Sequence, residues 1–151
     1  MKTSLFTFGA LVGLASAQNA IVYNNCDTTV YVQSYPTDGS APGPLTTVAA
    51  GEAFSEEFRV SGSTVKIDKT KTLDTPLFFG YSFSSNPDYV YYELNTDWGN
   101  PFAADHNSLS PGDGCEAFDC AANDAACYST QADKKVYGCP QPVTLTANLC
   151  L

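Results

Sequence analysis

The chain predicts an all-β fold: a sandwich of short antiparallel strands with a loop region stapled by disulfides. Three observations carry this. Several short runs alternate apolar and polar residues with a period of two, the side-chain period of a strand. Clusters of Gly, Pro, Asn and Ser separate those runs, and no segment sustains a helical period. Six cysteines, Cys26, Cys115, Cys120, Cys127, Cys139 and Cys150, follow an apolar leader. An even number behind a leader reads as a disulfide framework rather than as metal ligands or nucleophiles.

The leader comes first. Lys2 supplies a positive start, residues 5–14 are apolar, and Ala15-Ser16-Ala17 is a small-residue cleavage site. Residues 1–17 are therefore expected to be a signal peptide, with Gln18 as the mature N-terminus. The apolar run is too short for a membrane span, which needs about 20 residues. Residues 18–151 are expected to form one domain.

The strands follow in order. Residues 20–23 and 29–35 are separated by the turn Asn24-Asn25-Cys26-Asp27, and Val30 and Val32 share one face of the second run. Residues 36–44 form a Gly/Pro/Ser loop. In residues 54–60, Phe54, Glu56, Phe58 and Val60 alternate with Ser55, Glu57 and Arg59, more strand than helix. After Gly62, Val65 and Ile67 share a face in residues 64–68. Residues 77–83 and 88–94 read as an aromatic hairpin around Ser84-Ser85-Asn86-Pro87. Residues 97–135 turn Asp-, Asn-, Gly- and Ala-rich and are expected to be disulfide-held loops, with one short helical turn at 124–130. Residues 143–149 form the last strand, with Val143, Leu145, Ala147 and Leu149 on one face.

Charge narrows the partners. Sixteen acidic residues face seven basic ones, for a net charge of −9 that becomes −10 without Lys2. Such a surface is repelled by phosphate backbones and anionic lipid heads, so neither nucleic acid nor membrane is an expected partner. A secreted, monomeric protein of the extracellular space or cell wall is the expectation, with no cofactor and no metal. The one histidine, His106, lies beside Asp105 in a loop composition and reads as a solvated polar residue. Asp113, Glu116, Asp119 and Asp124 have no calcium-loop spacing and read as an acidic loop.

Longer matches point to a family. The segment Ile21-Val22-Tyr23-Asn24-Asn25-Cys26-Asp27-Thr28-Thr29-Val30-Tyr31-Val32 resembles the opening of thaumatin-like proteins. Asp88-Tyr89-Val90-Tyr91, then Asn95 through Phe102, resembles that family's aromatic strand and the loop after it. Gly114-Cys115 with Asp119-Cys120, and Cys139-Pro140 with Cys150, resemble its later cysteines. The short chain, the Gly99-Asn100-Pro101-Phe102 segment and the run from Cys115 to Tyr128 resemble the small fungal branch, the Blastomyces yeast-phase-specific proteins, described as antigenic thaumatin-like proteins. Spacing alone leaves all fifteen pairings of six cysteines open. The resemblance implies Cys26–Cys150, Cys115–Cys139 and Cys120–Cys127.

The resemblance also implies where a cleft would lie. Thaumatin-like proteins of the glucan-binding kind line an acidic cleft with one Arg, one Glu and three Asp. Here the Glu position falls at Gly80, the Arg position near Leu73 with Lys69 and Lys71 close by, and one Asp position at Tyr91. Asp97 alone matches an acidic position, and Glu93 is a nearby carboxylate that substitutes. Trp98, in a Gly/Asn/Pro loop, is the aromatic best placed to meet a sugar ring. Glu93, Asp97 and Trp98 are thus the candidate binding residues, and no catalytic residue is assigned. The expected function is a non-catalytic cell-surface or host-interaction protein that binds β-glucan or another cell-wall polysaccharide, or a host protein. The alternatives are an endo-β-1,3-glucanase using recruited carboxylates and an antigenic surface protein without a defined ligand.

Overall fold

A computed structural model describes residues 18–151; the expected signal peptide lies outside the described residues. Eleven strands form: β1 (Asn19–Asn24), β2 (Val30–Pro36), β3 (Thr46–Val48), β4 (Ala53–Glu57), β5 (Ser63–Asp68), β6 (Leu77–Ser85), β7 (Asp88–Asn95), β8 (Asn107–Ser110), β9 (Phe118–Cys120), β10 (Tyr137–Pro140) and β11 (Leu145–Leu149). Among the described residues a single 3-10 turn spans Ala125–Cys127. The strands make a five-stranded sheet in the order β4-β1-β11-β8-β9 and a six-stranded sheet in the order β10-β7-β6-β5-β2-β3.

The all-β sandwich agrees with the sequence pattern, and the differences are instructive. The first and last strands, β1 and β11, pair in parallel at the centre of the smaller sheet, so the fold is not purely antiparallel. Residues 97–135 are not all loop, because β8 and β9 lie there. Asn107, Ser108 and Asp119 are poor strand formers, but burial of Leu109 and Phe118 recruits their neighbours into the sheet. Strand β4 ends at Glu57 rather than reaching 60, although the Phe58 amide still donates to the Gln18 carbonyl at 2.9 Å.

Apolar residues from both sheets fill the space between them. Val22, Leu109, Leu145 and Leu149 on one side meet Val65, Ile67, Phe79 and Leu94 on the other, all fully buried. Burial of this area is the main force holding the layers together. Buried polar groups are tied off. Asn24 donates through Nδ2 to the carbonyls of Thr28 (2.8 Å) and Val48 (3.0 Å) and accepts from the Cys26 amide (3.1 Å). Cys26 bonds Cys150 with a Cα separation of 4.9 Å, which closes almost the whole chain into one loop. Cys115 bonds Cys139 and links the approach to β9 with β10, one in each sheet. Cys120 bonds Cys127 and fastens the 3-10 turn to β9.

Alternation along the six-stranded sheet sends one set of side chains inward and the other out. Tyr31, Tyr35, Lys66, Phe78, Tyr89, Tyr91 and Glu93 stand on the outer face, each half-buried. That face positions the candidate site.

Candidate functional site

Glu93 lies on β7 directly opposite Gly80 of β6. A Cβ at position 80 would sit 3.2 Å from Glu93 Cγ and 3.5 Å from Oε1, so the Glu93 side chain occupies the space a larger residue there would need. A groove of about 290 Å³ runs over this point, bordered by Thr64, Gly80, Tyr91, Glu93, Lys134 and Val136. Because Gly80 has no side chain, the Glu93 side chain can lie across the strand at the base of the groove.

The two acidic candidates are joined through one amide. Asn95 donates from Nδ2 to Glu93 Oε2 at 3.5 Å and to Asp97 Oδ2 at 3.1 Å. Glu93 Oε2 also accepts from Lys134 Nζ (2.6 Å) and Ser129 Oγ (3.0 Å). Asp97 Oδ1 accepts from the Gln131 amide at 2.8 Å. Both carboxylates therefore hold the 129–135 loop against the end of β7. Glycoside cleavage needs one protonated and one ionised carboxyl with the scissile bond between them. Here the Asn95 amide fills the space between, and the groups act as struts.

Trp98 is 68% exposed, so it does not plug the space beneath its loop. Its ring lies 6.3 Å from that of Phe78, at the rim of the outer face. Gly99 follows with φ +139, and a Cβ there would come within 2.5 Å of the Thr75 carbonyl oxygen. Only glycine lets the loop lie this close to the β5–β6 connection, and the fit fixes where Trp98 projects.

Other sequence candidates fall elsewhere. Asp105 meets Lys69 at 3.5 Å. Asp88 accepts from Gln141 Nε2 at 2.7 Å, at the far end of β7. His106 is not simply solvated: its Nε2 pairs with Asp119 Oδ1 at 2.5 Å. Among the described residues no three His, Cys, Asp or Glu side chains converge as a metal site would require.

A second polar cluster, which no sequence motif marks, surrounds Glu56. Glu56 points inward between the sheets, its side chain only 13% exposed. It accepts from Ser34 Oγ (2.7 Å), Tyr81 OH (3.1 Å) and Arg59 Nε (3.1 Å). Burial dominates the Tyr81 phenol, pushing its pKa well above the ordinary range, and the neighbouring Glu56 charge adds to this. A hollow of about 400 Å³ opens beside the cluster between edge strands β3 and β4. The available signals were the chain's single arginine, Arg59, and a glutamate on the same face as Phe54 and Phe58.

Comparison with known proteins places this arrangement. The crystal structure of the protein elicitor MoHrip2 from Magnaporthe oryzae is similar, with 67% identity, a TM-score of 0.87, and coverage of 89% of this chain and 100% of that one. The thaumatin-like xylanase inhibitor TLXI has a TM-score of 0.63 at 14% identity, covering 87% of this chain and 99% of that one. At that identity the likeness shows the thaumatin-like fold alone. Comparison with curated proteins finds no match. The family described as Blastomyces yeast-phase-specific protein matches residues 7–151, nearly the whole length. The sandwich, its cysteines and this match together show that the chain belongs to the Blastomyces yeast-phase-specific protein family.

Proposed function

We propose that this chain is a secreted, non-catalytic recognition protein that works at a cell surface or toward a host. It binds cell-wall polysaccharide through the outer face that bears Glu93, Asp97 and Trp98. The observation that carries the reading is Trp98, exposed at the rim of an aromatic sheet face. A large aromatic kept in water invites contact with a ring-shaped ligand. Half-buried Tyr89 and Tyr91, with ring centroids 6.2 Å apart, extend the same surface. The similar protein from Magnaporthe oryzae is an elicitor, which supports an outward-acting role. Three disulfides suit an oxidising, extracellular setting. The use of Glu93 and Asp97 as loop struts argues against a glucanase.

Pull-down on insoluble β-1,3-glucan and chitin, with reducing sugar measured in the same tubes, tests the reading. The expected result is retention without sugar release, weakened about tenfold by Trp98→Ala. Sugar release that disappears in Glu93→Gln and Asp97→Asn would establish the glucanase instead. No retention on any polysaccharide would leave a host protein as the partner.

A further inference from the structure

The basic residues are distributed unevenly. Arg59, Lys69, Lys134 and Lys135 each lie within 3.5 Å of a carboxylate, on Glu56, Asp105, Glu93 and Asp133. Among the described residues, Lys66 and Lys71 have no carboxylate in ion-pair reach, although acids outnumber bases sixteen to seven along the chain. Both stand over rings of the outer face instead. Lys66 Nζ is 4.4 Å from the Tyr35 centroid and 5.6 Å from that of Phe78. Lys71 Nζ is 5.7 Å from the Tyr31 centroid.

The acids nearby are already engaged. Asp68 is buried and accepts from the amides of Thr70 (3.0 Å) and Thr75 (3.1 Å). Asp74 accepts from Thr72 Oγ1 at 2.6 Å, and Glu93 and Asp97 hold the 129–135 loop. The two ammonium groups are thus, among the described residues, the cations of this face with no direct carboxylate partner. Tyr31 and Tyr35 lie four residues apart on β2, which sets their Cα atoms about 13 Å apart, and one cation stands over each ring. A small anion fills one such position. A polymer with repeated carboxylates spans both.

Resting on the polysaccharide reading and narrowing it, we infer that the outer face takes an acidic, uronate-bearing polysaccharide. Its carboxylates pair with Lys66 and Lys71 where these stand over Tyr35 and Tyr31, and the apolar face of a sugar ring lies on the exposed Trp98. Charge complementarity selects this occupant. An acidic chain repels polyanions over most of its surface, so binding is confined to the one face where cations lack partners.

The secreted protein is titrated with polygalacturonate, a neutral soluble β-1,3-glucan and polyglutamate, at low and at high salt. Polygalacturonate is expected to bind best and to lose about tenfold in affinity at high salt. Lys66→Gln and Lys71→Gln are each expected to weaken it about two- to fivefold, with Lys66→Arg restoring it and the melting temperature unchanged. Equal, salt-insensitive binding of neutral glucan would overturn the acidic preference while leaving the polysaccharide reading intact. Equal binding of polyglutamate would show that charge alone is read, as in a peptide partner. Absence of binding to any polysaccharide would overturn both.

Discussion

Phe78 and Phe79 are neighbours on β6 and answer to different rules. Phe79 faces inward in a row with Val65 and Leu94, all three fully buried. Phe78 faces outward in a row with Lys66 and Asn95, half-buried and within reach of Trp98. One step along the strand separates a position governed by volume from one governed by chemistry. The inner row packs the core, and the outer row meets solvent and, through Glu93, the 129–135 loop.

Substitutions across that divide should differ in size and in kind. Phe79→Ala is expected to lose about 3–5 kcal/mol in urea unfolding, through lost transfer energy and the cavity left behind. A loss below 1 kcal/mol would mean the inner row is not the core described. Alkaline pH should give the next largest effect, again from the inner face. Burial raises the Tyr92 phenol to about 12, with the charges of Glu116 and Tyr137 adding to it, and raises Tyr81 further. Below the ordinary tyrosine pKa of about 10 both rings are protonated whether folded or unfolded, so stability is flat. Above it the unfolded chain gives up these protons first, so stability falls as pH rises toward 12. Denaturation midpoints at pH 9 and pH 11 should show the fall, and Tyr92→Phe should reduce it. The smallest stability effect belongs to the outer face: Trp98→Ala is expected to stay within about 0.5 kcal/mol of the parent.

Much of this fold is legible in the sequence. The aromatic hairpin is legible because Ser84-Ser85-Asn86-Pro87 is turn chemistry between two β-rich runs, and β6 and β7 form around it. The last strand is legible because Leu145, Ala147 and Leu149 alternate, and they are buried together. Strands β8 and β9 are not legible, because their polar residues enter the sheet only through the burial of Leu109 and Phe118. The parallel pairing of β1 with β11 depends on contacts across nearly the whole chain, which no local period encodes.

The site divides in the same way. Alternation of Val65 and Ile67 already sends Lys66 to the opposite face. That it stands over Tyr35 requires knowing that β5 pairs with β2. Trp98 was visible as a loop aromatic. The Asn95 bridge between Glu93 and Asp97 was not, since it depends on residues 129–135 folding back against β7. The Glu56–Arg59 cluster left a trace in the chain's single arginine, but its meaning appears only once the two sheets close over it.

Trp98 is the only tryptophan, so its fluorescence reports the outer face without a label. Titrating the protein with neutral and acidic soluble polysaccharides while following that emission tests whether recognition occurs there. A saturable blue shift is expected as water leaves the indole, strongest with the acidic polymer and lost in Lys66→Gln/Lys71→Gln. Binding seen by sedimentation while the emission stays fixed would place the ligand on another surface and contradict it.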